Sequence, residues 1–470
     1  MAATTEHDVL VLGGGPSGSA AAIRLADLGF DVALVERRTF PREHVGICLS
    51  DTTVLLLQHL DVGTGFEDAR FWRRGVTAVC WGDDEVRLAP QAGYHVDRGV
   101  LDTLLLERAR RAGVTIHQPA SVVSHERLAT GGWRFELDTG HGAESIGARI
   151  VVDAAGRQGA LRGQRVKDGP PLLALHATWA LADAPRFDGL IEAGESAWLW
   201  YAQTARDQAV VSVFCDPRRL ASHTAPLERY LDLLRQFPAL RQRHLARRLS
   251  PLKACDATSQ HAADPVGEQH VRVGDAGLAV DPLSSQGVHL AIQSGLQGAV
   301  VVNTILAKPS NAEAARQFHS LRSADRVGLY ASRTRSEYAR VAAARPQPHA
   351  FWTERAAGAT AAALASASVD PLSKPAVRVA LAADVTIDTA PVIDGDYVEL
   401  REVVRQQGVE GCFAYVDGVQ VAKMLSAVPA GIAFSSLPAL WRDWVSPTKA
   451  MEIAHWLWAK RVLVSAAGPI

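Results

Sequence analysis

The stretch HDVLVLGGGPSGSAAAIRLADLGFDVALVERR, residues 7–38, determines the expected architecture. DVLVL is a short apolar run with β-branched residues, which is typical of a buried parallel strand. SAAAIRLADLG places small and aliphatic residues on one helical face and ends at Gly29. DVALVE then provides a second strand. The order strand, tight turn, helix, strand predicts a βαβ unit at the start of a Rossmann-like α/β domain.

Three glycines and one acid give this unit its chemistry. Gly13 suits the tight turn, Gly15 lets the backbone approach a pyrophosphate, and Gly18 lets the helix pack on the strand. The first turn of the helix adds free N–H groups and the positive end of its dipole. Glu36 lies 18 residues beyond Gly18, where a carboxylate accepts hydrogen bonds from a ribose hydroxyl and disfavours a 2′-phosphate. The pattern predicts a dinucleotide site.

Composition excludes several classes of protein. The 470 residues suffice for two or three domains, and 48% hydrophobic residues suffice for buried cores. A net charge of −1, from 49 basic and 50 acidic residues, argues against a nucleic-acid surface or a polybasic membrane anchor. The cysteines form no C-x-x-C pair, so we expect no disulfide framework, no metal site and a cytoplasmic location. We also expect no membrane-spanning segment.

The domains are expected to interleave. Residues 75–96 alternate like a hairpin, residues 226–249 read as one helix ending in HLARRL, and the chain beyond residue 390 reads as a strand or turn, three short helices and a final strand. The predicted parts are a nucleotide-binding domain (1–74, 97–170 and 255–345), an antiparallel-sheet substrate domain (75–96 and 171–254), a proline- and alanine-rich linker (346–389) and a small, mainly helical, winged-helix-like module (390–470).

Two later segments extend the first motif. They are YHVDRGVLDTLLLERA at 94–109 and VRVGDAGLAVDPLSSQGVHLAIQSG at 271–295, supported by FPREHVGICL at 40–49 and VVDAAGRQGALR at 151–162. Together these segments resemble the flavin-dependent halogenase and monooxygenase group of the glutathione-reductase-like flavoproteins, over about residues 7–345. The resemblance implies that the cofactor is FAD.

The resemblance also implies which residues contact FAD. Asp275 would hold the ribitol or the pyrophosphate, and the turn ending at Gly287 would place backbone N–H groups against the flavin ring. Cys48 occupies GICLS where relatives often have GESL, although an inert buried thiol is the alternative interpretation. The implied contacts are Gly13, Gly15, Pro16, Ser17, Gly18, Glu36, Arg37, Arg42, Cys48, Arg98, Asp275, Pro282, Gly287 and Val288.

The source of electrons is a separate question. No second G-x-G-x-x-G unit follows a strand later in the chain, so the sequence contains no dedicated NAD(P)H domain. Halogenase-like relatives usually receive reduced flavin from a separate reductase, and we expect the same here. Transient docking of NAD(P)H is the alternative.

A missing lysine separates the chain from the halogenases it resembles. Those enzymes share a catalytic lysine, but this chain has no lysine before Lys167. Arg73 and Arg74 lie near the expected position, and a guanidinium group stays protonated, which makes it a poor nucleophile. The absence favours insertion of oxygen from O2, through a flavin hydroperoxide, over halogenation.

A tryptophan pair gives the second departure. Trp198 and Trp200 keep the W-x-W spacing of the halogenase motif W-x-W-x-I-P, but Ala202 and Gln203 replace the isoleucine and the proline. With His176, the two tryptophans are candidates for the substrate pocket. Packing on one face of a strand is the alternative explanation of their spacing.

Catalytic residues are less well defined. Ser285, Gln286 and His289 follow the turn expected at the flavin, so they are candidates for catalysis. A structural role for His289 is the alternative. The sequence identifies no general base.

The expected function is hydroxylation of an electron-rich aromatic group by an FAD-dependent monooxygenase. A tryptophan inside a peptide or protein is one such group, because the C-terminal segment resembles peptide-recognition modules and the whole chain resembles the monooxygenases of tryptophylquinone maturation. A helical cap is the alternative for that segment. Other functions left open are a lysine-independent halogenase, a prenyl reductase of the geranylgeranyl type, and a non-catalytic flavin-binding protein that delivers a peptide.

Overall fold

The computed structural model divides into two compact units. The first unit holds the described residues up to Asn303 together with residues 330–359, and the second holds Thr304–Leu329 together with the described residues from 377 onward. The expected nucleotide-binding and substrate domains therefore lie in one unit. The structure describes residues 5–42, 44, 48–82, 85–182, 187–220, 225–241, 245–359, 377–406 and 411–466.

The first unit contains both helices and strands. Its helices are Pro16–Asp27 (α1), Asp51–His59 (α2), Gly63–Asp68 (α3), Arg98–Arg111 (α4), Pro226–Leu234 (α5) and Pro238–Arg241 (α6). Two long helices, Gly287–Ala307 (α7) and Ala312–Ala343 (α8), contribute residues to both units, and Ala350–Ala356 (α9) belongs to the first.

Its strands are Thr5–Leu12 (β1), Val32–Val35 (β2), Cys48–Leu49 (β3), Trp72–Arg73 (β4), Val76–Cys80 (β5), Arg87–Pro90 (β6), Tyr94–His95 (β7), Thr115–His117 (β8), Ser121–Arg127 (β9), Trp133–Asp138 (β10), Ala143–Asp153 (β11), Arg165–Lys167 (β12), Leu173–Leu181 (β13), Gly189–Ala193 (β14), Ala197–Ala205 (β15), Gln208–Cys215 (β16), Leu245–Arg248 (β17), Lys253–Asp256 (β18), Gln260–Ala262 (β19), His270–Arg272 (β20) and Leu278–Ala279 (β21).

The predicted βαβ unit is confirmed and forms the centre of one sheet. The strand order is β8-β2-β1-β11-β10-β9, with β20 also paired to β11. The pairs β1–β2, β2–β8, β1–β11 and β11–β20 are parallel, whereas β9, β10 and β11 form an antiparallel meander. Leu10, Leu12, Ala33 and Val35 are buried in this sheet, as expected for parallel strands covered on both faces.

A second, mainly antiparallel sheet, which we call the central sheet, carries the residues expected at the substrate. Its order is β17-β13-β16-β15-β14-β5-β6, with β18 also paired to β13. The hairpin predicted at 75–96 is confirmed as the antiparallel pair β5–β6, whereas the end of that segment, β7, pairs with β3 and β4 in a separate sheet. Side chains alternate along β15: Leu199 and Tyr201 enter one core cluster, and Trp198 and Trp200 enter another.

The single helix predicted over residues 226–249 is wrong. The helix ends at Leu234, a short helix starts at Pro238, and HLARRL contributes the strand β17. Pro238 cannot continue an existing helix, because its ring occupies the space of the preceding turn and it lacks an N–H. Pairing of Leu245 and Arg248 with β13 then fixes the basic segment as a strand.

The linker predicted at 346–389 is also wrong over its described residues. Helix α9 lies within it, where His349 accepts a hydrogen bond from the backbone N–H of Phe351, and where Phe351 and Trp352 are buried. The segment as a whole is rich in proline and alanine, so its average composition does not reveal the two adjacent aromatic residues that are buried. Residues 360–376 of the predicted linker lie outside the described residues.

The second unit begins before the predicted boundary at residue 390. Its later elements are Arg378–Leu381 (β22), Thr386–Asp394 (β23), Tyr397–Arg405 (β24), Cys412–Phe413 (β25), Tyr415–Val416 (β26), Val419–Gln420 (β27), Ala422–Ser426 (α10), Ile432–Ala433 (β28), Leu437–Leu440 (α11), Pro447–Ala459 (α12) and Leu463–Ser465 (β29). The predicted boundary falls inside β23, and β22 pairs with β28 and β29. The order of three helices and a final strand agrees with the prediction.

The core of the second unit is built around Trp441. This side chain is fully buried, and its Nε1 donates to the backbone oxygen of Met424 over 2.8 Å. Apolar residues of α10, α11 and α12 pack around it. Burial of the ring together with a satisfied indole N–H is the usual requirement for a tryptophan inside a core.

The sequence predicted no membrane-spanning segment, but helix α7 is long and apolar. Within the described residues it is the one helix with the length and composition to cross a bilayer, with a mean hydropathy of 1.4 over its most apolar window. About half of that window, 56%, is buried inside the protein. Ile292, Ala299 and Val301 are fully buried, so this part of α7 has the character of a core helix.

Candidate active site

The turn between β1 and α1 has the shape of an anion cradle. Gly13 has a φ of +105°, and a Cβ there would lie 2.5 Å from the backbone oxygen of Ala154. A Cβ on Gly18 would lie 1.9 Å from the backbone oxygen of Gly13. These two positions therefore require glycine, as the sequence indicated.

Space remains open in front of Gly15. The nearest atom to a Cβ on Gly15 is Nη2 of Arg42, at 3.4 Å. Gly15 is the N-cap of α1 and makes no side-chain cap bond, while Pro16 begins the helix. The open backbone and the uncapped helix N-terminus fit a pyrophosphate.

The first and third motifs meet at Ser17. A Cβ on Gly274 would lie 2.3 Å from Oγ of Ser17, and a Cβ on Gly295 would lie 2.3 Å from its backbone oxygen. The GDAG segment and helix α7 therefore pack directly against the first turn of α1. Glycine at these two positions permits that approach.

Glu36 is buried at the end of β2. Its carboxylate accepts hydrogen bonds from the backbone N–H groups of Gly14 and Arg38, both at 2.8 Å, and from Arg42 at 3.3 Å. A carboxylate offers about four acceptor positions. Glu36 thus fixes the turn, and its carboxylate can still accept a hydrogen bond from a ribose hydroxyl. Its contact with the ribose stays a prediction. Arg37, next to it, is exposed.

An aspartate that the sequence analysis missed organises two of the predicted arginines. Asp102 is fully buried and accepts from Nε and Nη2 of Arg98 at 2.9 and 3.1 Å. Arg42 lies 3.4 Å from the same carboxylate. Asp102 follows Arg98 by four residues in DRGVLD, a spacing that places both on one face of α4. That spacing was the available signal.

Asp275 lies in a cationic environment. It belongs to the short 3₁₀ turn Gly274–Ala276. Desolvation raises the pKa of Asp275, and the positive charges of Arg157, Arg98 and Arg165 oppose that rise. Asp275 and Arg98 therefore lie within range of an electrostatic interaction, as do Arg157 and Arg165, which the sequence had not indicated.

The turn before α7 is held by Asp281. The Oδ1 atom of Asp281 accepts from the backbone N–H of Leu283 at 2.9 Å, and Ser285 takes a left-handed φ of 52°. Pro282 starts the 3₁₀ segment of this turn, and Gly287 starts α7. A 3₁₀ turn followed by a left-handed residue thus leads the chain into the N-terminus of α7.

The candidate catalytic residues of this region take different positions. Ser285 and Gln286 lie in the turn and are partly buried, and Val288 is buried. The Nδ1 atom of His289 lies 3.3 Å from Oγ1 of Thr53 on α2. This partner favours the structural role for His289.

A chain of hydrogen bonds leads away from Asp281. Its Oδ2 atom accepts from the hydroxyl of Tyr338 at 3.1 Å, and that hydroxyl accepts from Nε1 of Trp198, also at 3.1 Å. Burial raises the pKa of Asp281 to about 6. The chain joins the turn before α7 to β15 of the central sheet.

The three predicted pocket residues lie on the same face of the central sheet. Trp198 is fully buried and stacks on Phe214 with ring centroids 3.8 Å apart. Trp200 is nearly buried in the same cluster. His176 is partly buried, and desolvation lowers its pKa. Trp198 is therefore a packed core residue, as the alternative interpretation of the W-x-W spacing expects.

Cys48 lies beside a buried arginine. Its Sγ accepts from Nη1 of Arg74 at 2.8 Å. Burial raises the pKa of the Cys48 thiol, and the charge of Arg74 offsets only part of that rise. A protonated, enclosed thiol is a poor nucleophile, so the geometry favours the inert interpretation.

Comparisons with known proteins identify the family. The sequence family described as FAD binding domain matches residues 6–328. The chain is 27% identical over 359 residues to flavin-dependent halogenase armH3 of Armillaria mellea, covering 67% of this chain and 70% of that protein. It is 29% identical over 338 residues to tryptophan 2-halogenase of Chondromyces crocatus, covering 66% and 64%.

Solved structures share the fold over almost the whole chain. The flavin-dependent halogenase CmlS matches with a TM-score of 0.81 at 19% identity, covering 99% of this chain and 98% of that one. The peptidyl tryptophan dihydroxylase QhpG, described as essential for tryptophylquinone cofactor biogenesis, matches with a TM-score of 0.72 at 26% identity, covering 97% and 99%. The chain therefore belongs to the FAD-binding-domain family of flavin-dependent halogenases and monooxygenases, and it is an FAD-dependent oxidoreductase.

Proposed function

We propose that the protein is a monooxygenase that hydroxylates an electron-rich aromatic group. One observation carries the choice of oxygen over halogen: no lysine precedes Lys167, and arginines stand near the position where the halogenase resemblance places one. Arg73 is exposed and lies over the ring of Tyr94, and Arg74 is buried. Neither guanidinium group replaces an amine that must act as a nucleophile.

The comparisons support an aromatic substrate. One relative is named as a tryptophan halogenase, and one structural neighbour as a peptidyl tryptophan dihydroxylase. The neighbour that hydroxylates has 26% identity over 97% of this chain. Halogenation without a lysine is the second candidate, because the names of the sequence relatives favour it.

The residues around the turn glycines fit FAD. When bound and reduced, FAD supplies the electrons that activate O2. Gly15, Pro16 and Ser17 would meet the pyrophosphate, with Arg98 held in place by Asp102. The turn from Pro282 through Gly287 and Val288 would present backbone N–H groups to the flavin ring, where they stabilise negative charge.

The central sheet would form the side of the reaction site from which water is excluded. Trp81, Trp198, Phe214 and Trp352 form one buried aromatic cluster, in which Trp81 meets Trp198 edge to face with centroids 6.1 Å apart. Such a cluster excludes water from the side of the site that it covers. Exclusion of water strengthens the electrostatic interactions that position the reactants.

We also propose that a separate reductase delivers reduced FAD and that the C-terminal unit recognises a substrate borne by a peptide. The first proposal rests on the lack of a second dinucleotide motif in the sequence. The second rests on the resemblance of the tail to peptide-recognition modules. Consumption of NADPH by the purified protein without a reductase would overturn the first.

Intact-mass analysis tests the proposed reaction. The purified protein is incubated with reduced FAD, O2, bromide and either a small indole or a tryptophan-containing peptide. We expect a gain of one oxygen atom per event and no bromine isotope doublet. A brominated product would establish the halogenase instead, and reoxidation of FAD that no aromatic compound alters would favour a non-catalytic protein.

A further inference from the structure

Three polar side chains, each with a buried nitrogen atom, lie on one face of a small three-stranded sheet. The sheet has the order β3-β7-β4, and its register aligns Cys48, His95 and Trp72 in one row. Arg74 follows β4 on the same face, because its neighbour Arg73 points to the other side. Within the described residues, Nε1 of Trp72, Nε of Arg74 and Nε2 of His95 have no hydrogen-bond partner.

The charge of Arg74 has no counterion among the described residues. Its guanidinium group donates to Sγ of Cys48, to Oγ1 of Thr77 at 3.4 Å and to Oε1 of Gln91 at 3.3 Å, all of which are neutral. Cys48 does not serve as an anion, because burial raises the pKa of its thiol. A buried cation in neutral surroundings is costly unless a ligand completes its contacts.

The nearby acid is already engaged. Asp188 contributes to the charge environment of His95. Its two carboxylate oxygens accept from the backbone N–H groups of Gly75 and Val76 at 2.6 and 3.2 Å. Asp188 therefore fixes the chain that follows Arg74 and forms no ion pair with that side chain.

His95 presents a hydrogen-bond acceptor. Its Nδ1 atom lies 2.7 Å from the backbone oxygen of Gln203, so Nδ1 must carry the hydrogen. The lone pair of the neutral ring is therefore on Nε2. Burial and the charge of Arg74 lower the pKa of His95 to about 4, so the ring stays neutral near pH 7.

We infer that Trp72, Arg74 and His95 form a polar subsite for a hydroxyl group on the aromatic ring of the substrate. The ring hydroxyl would donate to Nε2 of His95, and its oxygen would accept from Nε of Arg74 and Nε1 of Trp72. This inference rests on the proposed function, which supplies the aromatic substrate. Buried polar groups in native proteins have partners, and three unpaired atoms on one face point to one ligand.

The donor and acceptor count selects the ligand class. The subsite offers two donors and one acceptor, and a hydroxyl group supplies one donor and two acceptor lone pairs. A halide or a carboxylate would leave Nε2 of His95 unpaired, and an unsubstituted indole N–H would leave both donors unpaired. A hydroxyl near Arg74 also gains anionic character, which raises the electron density of the ring and favours electrophilic attack.

Binding titrations test this inference without turnover. FAD-loaded protein is titrated with 5-hydroxyindole and with indole, and the change in flavin absorbance reports binding. The hydroxylated probe is expected to bind about tenfold or more tightly, since one hydrogen bond to a charged group contributes about 1.5–3 kcal/mol. Equal affinities of the two probes for the unmodified protein would overturn the inference.

Matched variants identify the residues. Arg74→Met keeps the length of the side chain but removes the donors, and it should reduce the preference for 5-hydroxyindole to about onefold. Arg73→Met is the control, and it should keep the preference. FAD content and the melting temperature of each variant report folding. A preserved preference in folded Arg74→Met would overturn the assignment.

A spectroscopic measurement covers the case in which Arg74→Met does not fold. The ¹⁵N shift of Nε2 of His95 in the unmodified protein should move on addition of 5-hydroxyindole and not on addition of indole. If bromide displaces 5-hydroxyindole and His95 takes up a proton from solvent as bromide binds, the subsite binds halide and the inference fails. These measurements require no reaction, so their outcome is independent of the outcome of the oxygenation assay.

Discussion

The hydroxyl of Tyr338, on α8, donates to Oδ2 of Asp281 over 3.1 Å, in the turn that leads into α7. The same hydroxyl accepts from Nε1 of Trp198 on β15. Three segments far apart in sequence thus share one buried oxygen. Hydrogen bonds of this kind are costly to break singly, because the remaining partner stays buried and unsatisfied.

The first prediction is a pH dependence of stability that depends on Asp281. Its pKa of about 6 exceeds the ordinary 3.8, so the folded protein binds this proton more tightly than the unfolded chain does. Its contribution to the free energy of unfolding is therefore greatest below pH 4 and is lost as the pH rises through about 6. The loss is about 3 kcal/mol at most.

Asp281→Asn should remove that dependence, and Tyr338→Phe should shift it to higher pH because the tyrosine hydrogen bond lowers the pKa of Asp281. Melting temperatures measured from pH 4.5 to 7.5 check both. The carboxylate faces the charges of Arg355 and Arg157, which also lower its pKa. An unchanged profile in Asp281→Asn would assign the dependence to other groups.

The second prediction separates cofactor binding from folding at the first turn. Gly15→Val should preserve the fold and abolish FAD binding, because a Cβ at this position meets only Arg42 at 3.4 Å while it fills the space of the pyrophosphate. FAD should be taken up in preference to FMN by the unmodified protein. Absorbance at equilibrium with each flavin measures both.

Gly13→Ala provides the contrast. Its Cβ would lie 2.5 Å from the backbone oxygen of Ala154 at a φ of +105°, so this variant should lose stability as well as FAD. Stoichiometric FAD retained in Gly15→Val would refute the assigned site.

The third prediction concerns Asp102. Asp102→Asn should weaken FAD binding by about tenfold or more, because the change leaves Arg98 buried without its ion pair and releases Arg42. Asp27→Asn is the matched control, since Asp27 pairs with Arg108 at a more exposed position. Fluorescence titration with FAD compares the two variants. Equal effects would remove Asp102 from the cofactor site.

The fourth prediction concerns halide. Arg73→Lys should not create halogenation, because Arg73 is exposed and its Nη1 contacts the hydroxyl of Tyr94. Product formation by the unmodified protein should not depend on chloride or bromide. Product analysis by mass spectrometry, with and without bromide, checks both statements, and a halogenated product from either protein would contradict them.

The cofactor cradle was predictable from sequence, and the wall of the pocket was not. Gly13, Gly18 and Glu36 act through local backbone geometry, which a short motif encodes. The contacts of Tyr338 with Trp198 join residues 140 positions apart, and no periodicity in either segment indicates the pairing. Long-range contacts of this kind depend on how whole sheets and helices pack.

The predicted boundary at residue 390 failed for a related reason. A change in composition marks where the character of the sequence changes, but a unit is defined by contacts. The composition around Thr304, near the end of α7, does not indicate a domain boundary. Its Oγ1 nevertheless accepts a hydrogen bond from the backbone N–H of Val398 at 2.8 Å. Residues that come before the compositional change therefore belong to the second unit.

The fifth prediction follows from these contacts and concerns removal of the tail. Deletion of residues 390–470 should yield protein that aggregates, because the cut breaks β23, removes the partners of β22 and exposes apolar residues that pack around Trp441. It also removes Glu399, which binds Lys308 at 2.7 Å and Asn311 at 3.0 Å. Size-exclusion chromatography and FAD content measure the outcome.

A substitution on the surface of the second unit tests peptide recognition without this damage. Trp444 is 45% exposed, so Trp444→Ser should leave the melting temperature and the FAD spectrum nearly unchanged. Lower affinity of this variant for a fluorescent tryptophan-containing peptide would support the proposed docking role, since exposed tryptophans are frequent anchors at interfaces. If instead the deletion variant stays soluble, keeps FAD and binds the peptide as tightly as the full chain, the second unit does not recognise peptides, and a small aromatic substrate becomes the better proposal.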